Sequence, residues 1–546
     1  MTATATDSPP HPGAKPSSVL RSGALMAAGS LVSRATGFVR SAVVAAAIGT
    51  GLVADGYALG NSVPTIVYML LLGGALNAVF VPELVKAAKE HEDGGAAYTD
   101  RLLTVCVLAL TVLTAAAVLA APAIVDAYAD YTGAQREMTV AFARSCLPQI
   151  FFLGLFTLLG QVLNARGRFG AMTWTPVLNN LVVIGVFGLF LTVAVSDGGT
   201  LTPGETALLG WGTTAGIAVQ ALALLPSLRA ARFRWRPRLD WRGSGLTAPL
   251  KSAGWLVLLV LTNQAAYWVT TKVATAAGQR AEGAGLSAYN NAYLLWAVPH
   301  GIVTVALVTA LMPRMSGAAA EQDLAAVRRD VAYAQRTSAA AIVPAACALF
   351  ALAVPLMATV FQYGRTDASA VRSMAWILMA LAPGLVALSG QYVCTRAFYA
   401  LRDTRTPFLL NLVIAGLNAL LAVCAYGLLP ARWAVTGMAA GYSLALWAGW
   451  ALTAYVLGRR LRAGAAPQGP GAGAALLRLL VAAVPAAGLG LLTADLTLPA
   501  TGPVPSGLAG ALAIVAVFAL LARPLRLTEV QTLLTGATGR LVRRRG

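Results

Sequence analysis

The chain is 546 residues long, 58% hydrophobic and only 11% charged, under half the charged share of an ordinary soluble domain. With a mean hydropathy of +0.71, this excludes a soluble enzyme, and apolar runs without alternation exclude a membrane β-barrel. The net charge of +19, from 40 Lys and Arg against 21 Asp and Glu, sits in short segments between apolar runs, so no separate basic domain exists to grip nucleic acid.

Residues 1–20, rich in Pro, Ser and Thr, predict a disordered tail. The apolar segment at 24–48 carries Arg34 and Arg40, which breaks the core a signal peptide needs and reads as a first transmembrane helix. Further apolar segments lie near 54–82, 102–127, 138–164, 171–195, 205–227, 250–276, 285–312, 331–361, 372–400, 407–429, 434–457, 475–495 and 505–523, about fourteen in all. Pro64, Pro148, Pro299, Pro344 and Pro383 interrupt several of them, as membrane helices tolerate where neighbours satisfy the freed carbonyls. Cys106, Cys146, Cys347, Cys394 and Cys424 stand singly in apolar segments and read as small packing residues.

Alternate connections hold the basic residues: Lys86, Lys89 and Arg101, then Arg166 and Arg168, then Arg229 through Lys251, then Arg314, Arg328 and Arg329. The same set continues with Arg402 and Arg405, with Arg459, Arg460 and Arg462, and with Arg523 onward, while the opposite set holds singles such as Arg136, Arg280, Arg365 and Arg432. The positive-inside rule then predicts a multi-pass plasma-membrane protein with both termini cytoplasmic.

The chain also repeats itself. Ala75-Leu-Asn-Ala-Val-Phe-Val-Pro82 answers Ala306-Leu-Val-Thr-Ala-Leu-Met-Pro313 at an offset of 231 residues. Thr175-Pro176 with Asn180 answers Thr406-Pro407 with Asn411 at the same offset, and Gly160-Gln161 with Arg166 answers Gly390-Gln391 with Arg396 at 230. The repeat unit is six helices, and two parallel six-helix lobes make a transporter architecture with the substrate cleft between them. The predicted order is an N-lobe at 21–228, a basic linker at 229–249, a C-lobe at 250–458, two extra helices at 459–524 and a basic tail at 525–546.

Charge inside hydrocarbon is the remaining signal, since such a residue costs at least about 2.5 kcal/mol at mid-bilayer. Arg34 lies near mid-depth in helix 1 and Arg40 about 9 Å beyond it. Arg34 is too deep to snorkel easily, whereas for Arg40 both a cavity and the outer interface are open readings. Asp55, at the start of helix 2, is the carboxylate best placed to meet them; Asp126, Glu205 and Asp495 lack a basic neighbour along the chain and read as interfacial caps. Arg144 and Lys272 read either as vestibule lining or as snorkelling side chains, His300 as a cleft residue or a packed one, and Tyr289-Asn290-Asn291 as a polar patch. No nucleotide loop, metal set or paired-carboxylate cleft is visible, so no catalytic residue, cofactor or metal is expected. A cationic cavity in a two-lobed bundle points to an anionic amphiphile as cargo.

Ser33-Arg34-Ala-Thr-Gly37-Phe38-Val-Arg40, Ala54-Asp55, Val63-Pro64 and Phe80-Val81-Pro82 resemble the start of the MurJ/MviN lipid II flippases. Leu163-Asn164, Leu311-Met-Pro313-Arg-Met-Ser316, Phe361-Gln362-Tyr363-Gly364, Ala397-Phe398-Tyr399 and Asp403 extend the resemblance over most of the chain. It implies the fold of the multidrug/oligosaccharidyl-lipid/polysaccharide exporter superfamily and the flipping of undecaprenyl-pyrophosphate-linked peptidoglycan precursor. Arg34 and Arg40 match the family's cavity arginines and Asp55 its acidic residue in helix 2. Further arginines of enterobacterial members fall on Tyr68 and Leu294, and nearby acidic positions on Gly73 and Ala297, which leaves an actinobacterial-type member or a flippase for another lipid-linked cargo as readings. A drug/cation antiporter and a non-transporting scaffold for cell-wall enzymes are the rivals; the expected partners are a lipid-linked anion, membrane lipids and, for the scaffold reading, cell-wall synthesis proteins.

Overall fold

The computed structural model describes residues 16–72, 95–166, 168, 170–194, 200–240, 254–281, 285–461, 472–525, 527 and 530. Among these the secondary structure is entirely helical, as it must be where only intrachain hydrogen bonds can satisfy backbone in lipid. The first group comprises α1 (Pro16–Ile48), α2 (Leu52–Leu72), α3 (Ala96–Leu119), α4 (Ala121–Tyr128), α5 (Gly133–Cys146), α6 (Gln149–Ala165), α7 (Gly170–Val193), α8 (Pro203–Leu222) and the short α9 (Leu225–Ala230). The second comprises α10 (Gly254–Arg280), α11 (Leu286–Pro299), a π turn at His300–Thr304, α12 (Val305–Ala320), α13 (Leu324–Ala351), α14 (Ala353–Phe361), α15 (Ala368–Leu381), α16 (Gly384–Ala400), α17 (Arg405–Leu428) and α18 (Ala431–Arg460). Two last helices, α19 (Ala472–Thr501) and α20 (Pro503–Ala522), pack on each other and against α13 and α14.

Ten helices among the described residues are long and apolar enough to cross a bilayer, or twelve when the bent pairs α13–α14 and α15–α16 each count as one crossing. The bends are 75° and 45°. Helices α2 and α10 complete the bundle beside them.

The two groups pack in the same pattern. In the first, α1 lies on α7, α7 on α8, α2 on α5, and α8 on both α5 and α6. In the second, α10 lies on α17, α17 on α18, α11 on α15, and α18 on both α15 and α16. Polar bonds repeat with the helices. Asn180 of α7 donates to the Ser33 carbonyl and to Thr36 Oγ1 of α1 at 3.1 and 3.0 Å, while Asn411 of α17 donates to Asn263 of α10 at 2.9 Å. The Asn that marks the sequence repeat therefore ties corresponding helix pairs in both halves.

Pro148 and Pro383 break the α5–α6 and α15–α16 pairs, and a hydroxyl from the neighbouring helix repairs each break. Thr214 of α8 donates to the Ser145 carbonyl at 2.6 Å, and Ser443 of α18 donates to the Ala380 carbonyl at 2.7 Å. Both carbonyls lie three residues before their proline, where the helical ladder lapses. Ser443→Ala is expected to destabilise the protein by about 1 kcal/mol, read as a lowered thermal midpoint in detergent. An unchanged midpoint would mean that the Ala380 carbonyl has another partner.

Candidate functional site

The end of the bundle at the α1–α2 turn is termed distal, and the end where α1 begins proximal. The Gly49–Gly51 turn between α1 and α2 uses a left-handed residue, Gly49 at φ +71°, so that α2 returns alongside the distal part of α1. Between α1, α2, α6, α7, α8 and α11 lies a cavity of about 250 Å³. Arg40 and Ser41 face it from α1, Tyr57, Asn61 and Thr65 from α2, Gln149 from α6, Asn179 from α7, and Asn290 and Asn291 from α11. Gln149 donates to Asn61 Oδ1 at 3.3 Å, and the Tyr57 hydroxyl meets Thr213 Oγ1 at 3.0 Å. The Asn179 Oδ1 is buried without a protein hydrogen bond.

Arg40 is half-buried, and among the described residues no carboxylate pairs with it. It shares the cavity with amides and hydroxyls, whose dipoles can turn toward an anion as readily as toward a cation. Arg34, roughly 9 Å nearer the proximal end, is exposed and crosses to the other lobe: a Cβ on Gly301 would lie 2.7 Å from its Nη1. Gly301 belongs to the π turn that follows Pro299, so the irregular stretch of the second lobe is also the one without a side chain to exclude the guanidinium.

Asp55 is not with the arginines. It is 1% exposed, and its Oδ1 accepts the Ser287 N–H at 2.7 Å, placing a carboxylate of the first lobe on the N-terminus of α11 in the second. That geometry sets the carboxyl oxygen against a backbone donor at the positive end of the α11 dipole. Gly278 and Gly285 make room, since a Cβ on either would fall 2.3 and 1.8 Å from Asp55 Oδ2.

Other distal contacts join the lobes. Arg365 N–H donates to the Ala46 carbonyl at 2.9 Å, and Thr366 Oγ1 donates to the Ala45 carbonyl at 2.9 Å. The approach is allowed by Gly364, at φ +57°, where a Cβ would stand 2.3 Å from the Ala46 oxygen; this explains the glycine of the Phe361-Gln-Tyr-Gly364 stretch. Trp268 Nε1 donates to the Ala127 carbonyl at 2.9 Å, and Thr275 Oγ1 to the Tyr128 carbonyl at 3.2 Å. All these contacts lie in the distal half.

The remaining sequence candidates scatter. Lys272 pairs with Asp130 at 3.5 Å and belongs to the distal seal. Arg144 is exposed and does not line the cavity. His300 packs within its own lobe, its Nδ1 3.0 Å from Ser389 Oγ and its ring edge-on to Tyr392. Tyr68 bonds Thr157 at 2.6 Å, Leu294 and Ala297 are half-buried, and Gly73 lies outside the described residues. Asp126, expected without a basic neighbour, instead takes two hydrogen bonds from Arg136 at 2.6 and 2.7 Å, and that guanidinium holds its carboxyl below the usual range. Glu205 does cap its helix, in a reciprocal box with Thr202. Sequence reasoning missed Asn61, Gln149 and Asn179 as cavity residues; the signal was an amide inside an apolar segment, which spacing alone cannot aim.

A profile of the family described as lipid II flippase MurJ matches residues 44–506. The chain belongs to the lipid II flippase MurJ family. The lipid II flippase MurJ of Burkholderia cenocepacia is 29% identical over 385 residues, covering 69% of this chain and 72% of that protein. A probable lipid II flippase MurJ of Rhizobium meliloti is 27% identical over 440 residues, covering 79% of each. The fold matches a solved lipid II flippase MurJ in an inward closed conformation at a TM-score of 0.73 and 16% identity, covering 92% of this chain and 99% of that one. It also matches an inward-facing multidrug resistance MATE family transporter at a TM-score of 0.59 and 13% identity, covering 80% of this chain and 95% of that one.

The distal seal has a steric test. Gly285→Ala drives a methyl into Asp55 Oδ2 and should hold the lobes apart there. In a cysteine-free background, cysteines placed at Asp130 and Lys272, whose native side chains meet at 3.5 Å, are expected to be joined by a short bifunctional thiol reagent, and severalfold less with Gly285→Ala. Equal cross-linking would remove Asp55 from the seal.

Proposed function

We propose that this protein flips lipid II, undecaprenyl-pyrophosphate-linked peptidoglycan precursor, from the inner to the outer leaflet of the plasma membrane by alternating access. The observation that carries this reading is Arg40, without a carboxylate partner among the described residues, in an amide-lined cavity whose distal side is closed by the Asp55–Ser287 and Thr366–Ala45 contacts. The proximal end is taken as cytoplasmic, with both termini there and fourteen crossings, because the Arg-rich connections fall on that side. The lobes are residues 21–228 and 250–458, joined by the basic linker 229–249, with the two helices at 459–524 as an annex and basic residues at 525–546 on the cytoplasmic face.

In this cycle Arg34 meets the pyrophosphate first, since its exposed guanidinium stands nearer the proximal end, and Arg40 draws the headgroup deeper. A guanidinium offers a planar fork to phosphate oxygens. Asn61, Gln149, Asn290 and Asn291 supply donors and acceptors suited to sugar hydroxyls and peptide groups. At about 250 Å³ the cavity lies at the small end of ligand sites, so a disaccharide-peptide headgroup enters with the lobes apart while the polyprenyl tail stays in lipid. No step makes or breaks a covalent bond. An inside-negative potential favours outward movement of the anionic headgroup by about 2.3 kcal/mol per charge per 100 mV.

The antiporter alternative requires a carboxylate in the cavity, and Asp55 is committed to the Ser287 N–H instead. The family resemblance sets Tyr68 and Leu294 where enterobacterial members carry arginine, so on this reading Arg34 and Arg40 bind the pyrophosphate without further cavity arginines at those positions.

Headgroup translocation in reconstituted vesicles tests the assignment. Arg40→Ala and Arg34→Ala should each lower the flipping rate by at least about tenfold, with Arg34→Lys intermediate and Arg459→Ala unchanged. Arginine variants as active as Arg459→Ala would sink the cavity reading. For topology, cysteines at Thr200 and Arg238 are expected to react with impermeant reagents from opposite sides of the membrane, and reaction of both from one side would refute the crossing count between them.

A further inference from the structure

A second concave site lies outside the substrate cavity, at the proximal end of the first lobe. A groove of about 700 Å³ runs between α6 and the turn that follows α9. Leu159, Leu228 and Phe233 form its floor, and all three are buried. Leu159 and Leu155 lie six and ten residues before the end of α6 at Ala165, so the apolar wall descends about 9 to 15 Å from the proximal end. That is the depth range of an acyl chain beneath a headgroup.

The rim is basic and firmly built. Arg232 adopts φ +54°, a left-handed conformation at a helix end that favours glycine. Phe233 N–H closes this turn on the Leu228 carbonyl at 3.0 Å, with the Arg166 guanidinium 4.9 Å from the Phe233 ring centre. Trp235 Nε1 and Arg238 N–H donate to Thr104 Oγ1 at 3.3 and 3.0 Å, and Arg236 N–H donates to Asp100 at 3.2 Å. The backbone is thereby fixed to α3, while Arg229, Arg232 and Arg234 remain exposed around the groove. Among the described residues no carboxylate lines it, and Asp240, the acid of this segment, is paired with Arg101.

We propose that this groove binds one diacyl anionic phospholipid, its phosphate on Arg229, Arg232 and Arg234 and an acyl chain along Leu155 and Leu159. Three cations without a carboxylate select an anionic headgroup over a zwitterionic one, and the leucine wall selects a lipid over a soluble anion. The bound lipid clamps the α9 turn to α6, at the point where the first lobe hands over to the linker.

The test is native mass spectrometry of the full-length protein in detergent, titrated with dioleoyl phosphatidylglycerol or dioleoyl phosphatidylcholine. One phosphatidylglycerol should be retained at least about tenfold more tightly than phosphatidylcholine. Replacing Arg229, Arg232 and Arg234 together by Gln should weaken it roughly a hundredfold, the product expected for three basic residues at an anionic headgroup. The same replacement of Arg402, Arg405 and Arg459 should not. Leu225→Trp, which fills the groove from an exposed position, should weaken both lipids without disturbing the rim, and inorganic phosphate should not compete. Equal retention of the two lipids, indifference to the Arg229, Arg232 and Arg234 change or to Leu225→Trp, displacement by inorganic phosphate, or displacement by lipid II at equal concentration would each overturn the proposal.

Discussion

A guanidinium held inside an apolar bundle must be solvated by something, and in this protein that requirement shapes the first lobe. Arg40 has no carboxylate partner among the described residues, and the cavity it lines carries amides and hydroxyls from α1, α2, α6, α7 and α11. An ion pair would have neutralised the site and left little attraction for an anionic cargo. Amides stabilise the charge without cancelling it, which keeps the field available to a ligand. The same logic explains why the acidic residue of α2 sits elsewhere: Asp55 within reach of Arg40 would compete with a pyrophosphate for it.

Asp55 instead joins the lobes, its carboxyl oxygen accepting the Ser287 N–H. A carboxylate on a helix N-terminus is stabilised by backbone donors that need no complementary side chain, so the seal can form and break without leaving a counter-charge stranded in the membrane. The close approach is bought with glycines: Gly278 and Gly285 around the carboxylate, Gly364 against the Ala46 carbonyl and Gly301 against Arg34. Each is a point where the backbone of the second lobe, without a Cβ, meets an atom of the first. Such contacts are short in range, and a small rotation of one lobe releases them together.

Much of this was legible in the sequence, and the reasons are physical. Apolar runs must be about twenty residues long to span lipid, so the helices announce themselves. The repeat survived as Asn180 and Asn411 because each ties two helices through bonds that have few substitutes in hydrocarbon. Arg34 and Arg40 were visible as charges with no cheap explanation. What stayed hidden was direction. Asn61, Gln149 and Asn179 look like any polar residue in a membrane helix until the rotation of each helix is known, and His300 looks like a cleft residue until Ser389 is found beside it. The partner of Asp55 left no trace at all, because it is a backbone N–H, which every residue except proline carries.

The seal and the cavity are mechanically linked through α1 and α2. Arg34 and Arg40 stand on the same helix whose distal end supplies the Ala45 and Ala46 carbonyls to the second lobe, and Asp55 stands on the same helix as Asn61. In the proposed cycle a headgroup on the arginines would push α11, which carries Asn290 and Asn291 into the cavity, away from α2, and the N-terminus of α11 is where Asp55 binds. Filling the cavity therefore strains the contacts that close it. A ligand shifts an equilibrium only by its differential affinity for the two states, and on the proposed reading that difference has a structural source: the sealed cavity, at about 250 Å³, is small for the headgroup, and lobes moved apart would present the same arginines with more room.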